Sequence, residues 1–221
     1  MPLPMVHLAI AVRLFERNSH VPPPPFLLGS LAPDAIHMRP HFTRADKDLT
    51  HLGKPSTTHD EEPLKILVQR ADVTDQTQRA FLVGYVAHIL ADRRWAATVI
   101  PHFSQGLPAS VSADQWRTVY YQETDQIDFN VYHHAPWRPR MWTALAAATP
   151  LPVEPLLTAG EIGQWRDRTL VWFDHVKEEP RIIPTYITDT MVATFIEETV
   201  VALHDTFDTW DMPLQPVTPR N

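Results

Sequence analysis

Cysteine is absent from all 221 residues, so disulfides, thiolate metal sites and a cysteine nucleophile are excluded. Glycine is scarce, at 6 residues, while proline reaches 22, the reverse of the usual order. That ratio argues against a many-stranded sheet and for helices started and stopped by rigid proline turns. Positive charge is also short: 19 lysines and arginines face 26 acidic residues, for a formal −7 with histidines neutral. No basic patch is therefore expected for a nucleic-acid backbone or an anionic membrane. Nor does any run reach the ~18 apolar residues of a membrane helix. The best stretch, Ala80 to Ala91, is interrupted by His88. The apolar stretch Pro4–Val12 carries His7 and runs into Arg13, Phe15, Glu16 and Arg17, not into a small-residue cleavage site. These absences lead to the expectation of a soluble, cytoplasmic chain without a transmembrane segment. Oligomeric state leaves no signature.

What is present is apolar and periodic. With 44% hydrophobic residues the chain can fill one core, so it reads as a single domain, 1–221, with a loose tail from about 212 to 221. Helical spacing predicts Pro4–Arg17, Glu61–Ala71, and a long helix capped by Thr74 or Asp75 that Pro101 should stop after Ile100. Further helices are predicted from Ser112 to His133, Met141 to Ala148, Thr158 to Lys177 and Thr185 to Trp210. Asn18–Pro25 reads as a turn with a stiff four-proline spacer, Phe26–Leu31 as a short apolar piece, and Asp34–Asp60 as irregular. The expected fold class is all-α, a single multi-helix bundle.

Twelve histidines are the first sign of chemistry. The strongest local feature is His88-x-x-x-Asp92, which places an imidazole and a carboxylate on one helix face, one turn apart, in otherwise apolar surroundings. Such a pair must be satisfied, either by a shared divalent ion or by a buried hydrogen bond. Gly84 removes a side chain from the same face one turn earlier, for close packing or for ligand space.

Met5-Val-His-Leu-Ala, Phe26-Leu-Leu-Gly-Ser-Leu-Ala-Pro-Asp, Thr50-His51 and Gly84-Tyr-Val-Ala-His-Ile-Leu-Ala-Asp follow one another in that order. This ordered set resembles the zinc-dependent phospholipase C family, whose relatives include single-strand-specific zinc nucleases. The likeness covers roughly the first hundred residues, and the remainder only as more helix. It implies an all-α fold with a metal site between helices. The implied cofactor is zinc, two ions with a third in question, or another divalent metal. The implied reaction is hydrolysis of a small-molecule or lipid phosphoester by metal-activated water.

By the same resemblance Asp34, His51, His88 and Asp92 surround one ion, and His7 holds a second that Asp92 bridges. Asp34 is then the candidate general base. The family also uses a further histidine, for which His102 stands, and a His-x-x-x-Glu pair that the next helix lacks. That helix offers Glu123, Asp125 and Asp128 instead, which makes Asp125 a further ligand candidate. His37 and Arg39, just past Asp34, are placed to meet a substrate phosphate, arginine with two parallel donors. A surface salt bridge is the competing role for Arg39. Two other readings compete: an HD-type phosphohydrolase built on the adjacent His59-Asp60 dyad, and a catalytically inactive helical metal-binding or scaffold protein.

Overall fold

The computed structural model describes residues 3–16, 21–57, 59–70, 75–212 and 214. Among these the chain is helical throughout, with no strand and only an isolated antiparallel bridge between Val153 and Leu157. The all-α expectation therefore holds. No helix among the described residues is long and apolar enough to cross a membrane.

The first helix, α1 (Pro4–Glu16), is apolar on almost every side and is buried accordingly, from Met5 to Val12 and again at Leu14 and Phe15. It runs through the middle of the bundle against α2 (Pro24–Gly29), α5 (Gln76–Gly106), α6 (Ala113–His134) and α9 (Asp189–Thr209). Its amino end is held from α6: Asp128 accepts from the amides of Met5 at 3.0 Å and Val6 at 3.3 Å. Those amides belong to the first turn, where no i−4 carbonyl lies within the helix; the Val6 amide also meets the Leu3 carbonyl at 3.1 Å.

Several expectations are corrected. The four-proline spacer is not a separate element, because Pro24 and Pro25 form the first turn of α2, where a missing N–H costs nothing. The stretch expected to be irregular holds a 3₁₀ helix (Ala32–Met38) and α3 (Arg44–Thr50). A capping box between Thr43 and Asp46 starts α3. Pro101 does not end α5, which continues to Gly106. Phe103, fully buried against the rings of Trp116 and Tyr120, holds that last turn in place despite the lost hydrogen bond.

The remaining elements are α4 (Glu62–Gln69), α7 (Arg138–Ala147), α8 (Ala159–Val171) with a π turn at Trp172–Val176, and α9, which Thr188 caps. Asp75 caps α5; Thr74, Arg17, Ala71 and nearly all of the expected loose tail lie outside the described residues.

Packing of α2 on α5 sets the centre of the molecule. A Cβ on Gly29 would collide with the carbonyl oxygen of Phe81, and one on Gly84 with that of Phe26. The two backbones thus touch directly, so Gly84 serves close packing and not ligand space. Because both obstacles are backbone, Gly84→Ala should cost about 3 kcal/mol, the upper end for overpacking. At this chain length that is a melting-temperature drop on the order of 10 °C in a thermal scan. An unchanged melting temperature would mean that the helices separate freely.

Candidate metal centre

Four segments deliver the polar residues at the core. His7 comes from the first half of α1, Asp34 from the 3₁₀ helix, His51 from the C-cap of α3, and His88 with Asp92 from the middle of α5. The close α2–α5 contact brings the Ser30 carbonyl, at the end of α2, within 2.9 Å of His88 Nδ1. His51 Nδ1 lies 2.9 Å from the Lys47 carbonyl. A carbonyl can only accept, so both Nδ1 atoms carry the proton and both Nε2 atoms present a lone pair.

Those lone pairs converge. His51 Nε2 lies 3.4 Å from Asp92 Oδ2 and 3.6 Å from Asp34 Oδ1. His88 Nε2 lies 3.8 Å from Asp92 Oδ2 and 3.9 Å from Asp34 Oδ2. His7 Nε2 sits 3.5 Å from Asp92 Oδ1, and its ring stacks on that of His88 with centroids 3.8 Å apart. These separations are too long for good hydrogen bonds. They approach the roughly 3.3–3.6 Å between ligand atoms that share one tetrahedral ion at 2.0–2.2 Å.

The Nε2 atoms of His7, His51 and His88 and both Asp92 oxygens are buried without a hydrogen-bond partner among the described residues. Five such atoms in one place are costly unless a cation joins them. Two overlapping groups, His7–His88–Asp92 and Asp34–His51–His88, have ligand atoms within 4.8 Å of one another and could hold a metal ion. The buried His–Asp hydrogen bond that competed for His88 and Asp92 does not form at 3.8 Å.

Electrostatics set the charge of the candidate ligands. Burial and the neighbouring His7 lower the His88 pKa to about 3, so its imidazole is neutral at physiological pH. Burial pushes the Asp92 carboxyl up, but the surrounding histidines outweigh it and bring the pKa to about 2. Burial likewise opposes ionisation of Asp34, and the Lys47 ammonium with the His51 and His88 rings overcomes it, holding the group well below the usual carboxylate range. Exposure grows outward: Asp92 is 0% exposed, Asp34 8%. The His37 side chain, beyond Asp34, reaches 34%. A crevice too narrow for a water molecule lies beside His7 and His88, lined by Ile10, Ala11, Ser30 and Ala87.

The other sequence candidates lie elsewhere or do other work. His102 is exposed on α5, about 21 Å along the helix axis from His88. Asp125 is ion-paired with Lys177 at 2.8 Å. Its neighbour Glu123 accepts from the amides of Thr185, Tyr186 and Ile187, tying the preceding loop to α6. Arg39 takes the salt-bridge role, with Nε and Nη2 on Glu161 and Nη2 also on the Leu156 carbonyl. His37 does adjoin the cluster, 3.8 Å from Asp34. His59 is exposed, Asp60 caps the Glu62 amide, and neither belongs to a group that could hold a metal among the described residues.

Lys47 was missed. Its ammonium lies 2.9 Å from Asp34 Oδ1 and 3.0 Å from His37 Nε2. The signal was available in Thr43-x-x-Asp46, a capping box that starts a helix and puts Lys47 and His51 one turn apart on one face.

Acid should destabilise the metal-free protein early. Folded His88 stays neutral down to about pH 3, whereas an unfolded imidazole protonates near 6.5. Between those values the unfolded chain binds more protons, so stability present above about pH 6.5 is lost as pH falls through that window. Asp92, depressed to about 2, adds a loss in the same direction below about pH 4. Zinc at a hundredfold excess over Kd should stabilise the parent by about 3 kcal/mol. His88→Ala should abolish most of that gain and flatten the acid slope, both readable by thermal denaturation; equal gains in parent and variant would place the ion elsewhere. No family model, curated protein or solved structure matches this chain, so the centre has to be understood from its own geometry.

Proposed function

We propose that the chain is a metal-dependent phosphoester hydrolase, with zinc as its ion and His7, Asp34, His51, His88 and Asp92 as ligands. One observation carries the reading: three imidazole Nε2 atoms and both Asp92 oxygens converge in a buried place without partners among the described residues, beside a partly exposed Asp34. Neutral imidazoles and carboxylates, with no sulfur, suit zinc. Asp92 faces His7 through Oδ1 and His51 through Oδ2, which supports two neighbouring ion positions bridged by this one residue. A divalent ion there would offset the negative charge of a phosphoester and acidify a water near neutral pH.

The protein side of the chemistry follows from placement. The Ser30 and Lys47 carbonyls hold the His88 and His51 rings in one tautomer and one orientation. Asp34 and His37 are the more exposed side of the site, so the phosphoester enters there. Asp34 is the one carboxylate of the five ligands with any solvent exposure, and its Oδ2 takes the proton from the attacking water. Lys47 keeps that carboxylate ionised and ready, at some cost in basicity.

Asp34→Asn keeps the shape and one ligand oxygen while removing the charge and the proton acceptor. Metal should be largely retained, by elemental analysis, and hydrolysis of activated phosphodiesters should fall by ~10²-fold or more. Undiminished turnover in this variant would remove Asp34 from the chemistry. A parent that binds zinc yet hydrolyses no mono- or diester would reduce the centre to a structural one, the scaffold reading.

A further inference from the structure

We propose that Lys47 is the anion-holding group of this site: its ammonium, fixed beside the metal ligands, grips a phosphoryl oxygen of the substrate. This inference rests on the metal centre proposed above and assigns the recognition role within it. The sequence points to Arg39 for that role, but Arg39 is occupied by Glu161 and the Leu156 carbonyl. Lys47 lies where Arg39 was expected to reach. It is only 9% exposed, and lysine is almost never buried that far without a specific partner.

Three features suit the ammonium to an incoming anion. Of its three donors, one meets Asp34 Oδ1 at 2.9 Å and one meets His37 Nε2 at 3.0 Å, which leaves a third. Asp34 is also a proposed metal ligand, so with an ion in place its charge is shared and the ammonium is no longer neutralised by it alone. The Lys47 backbone carbonyl fixes His51, so ammonium and metal ligands are held by the same helix at a set separation. A second donor stands nearby: Trp165 packs on His37 with ring centroids 5.7 Å apart. Its indole Nε1 is buried without a hydrogen-bond partner among the described residues.

Inorganic phosphate and zinc are sufficient probes. The chain has four lysines, Lys47, Lys54, Lys65 and Lys177, so lysine-selective ¹⁵N NMR of side-chain ammonium groups is uncrowded. In the zinc-loaded parent, phosphate should shift the Lys47 resonance. Lys47→Gln should keep the parent's zinc stoichiometry and bind phosphate ~10–100-fold more weakly by calorimetry, the worth of one charge-assisted hydrogen bond. A Lys47 signal unmoved by phosphate overturns the proposal in the parent itself, whether or not the variant folds. So does a zinc-loaded Lys47→Gln that binds phosphate like the parent, which would make Lys47 a counter-ion for Asp34 and no more. Both of those results leave the metal centre standing, whereas a parent that binds no zinc removes the centre and this proposal together.

Discussion

The backbone contact between α2 and α5 at Gly29 and Gly84 sets where Asp34 stands relative to His88 and Asp92. Without side chains between them the helices approach until Phe81 and Phe26 carbonyls face bare glycine Cα atoms. That approach brings the end of α2 over His88, where the Ser30 carbonyl selects the tautomer. The chain then turns at once into the 3₁₀ helix that carries Asp34 across the same face. A bulkier residue at either glycine would push Ser30 and Asp34 away from α5 together, so packing and ligand geometry are one constraint.

Charge explains why so polar a group is tolerated at the core. With neutral imidazoles, Asp34 and Asp92 carry two negative charges and Lys47 one positive, a net −1 in a place with little water. One divalent ion would reverse that to +1. The acids of α6 have no share in this. Asp128 Oδ1 holds the first turn of α1, Glu123 gathers three loop amides and Asp125 pairs with Lys177, so each is engaged elsewhere in the fold. What marks the centre among the described residues is the convergence of five unpartnered atoms from three imidazoles and one carboxylate, not the lack of a partner at any one atom.

Short-range spacing made part of this legible in advance. Residues four apart on a helix must share a face, so His88 and Asp92 belong together in any all-α fold containing that segment. Apolar periodicity likewise marked the long helices, because burying one face is a property of the local pattern. Two short helices, α2 and α3, escaped notice. They have six and seven residues, too few to be stable alone, and form here because neighbours bury them. Pro101 misled for the same reason, since Phe103 packing outweighs the local penalty.

The sequence by itself determined the all-α class, the cysteine-free donor set of imidazoles and carboxylates, and the one-turn His88–Asp92 pair. Each of these depends on composition or on contacts within one helical turn. Only the tertiary structure decided that His7, Asp34 and His51 meet that pair, that Glu161 claims Arg39 from 122 positions away, and that Lys47 lies against Asp34. The physical reason is that a side chain's partner across the fold is chosen by which segments bury one another, and no spacing along the chain encodes that choice.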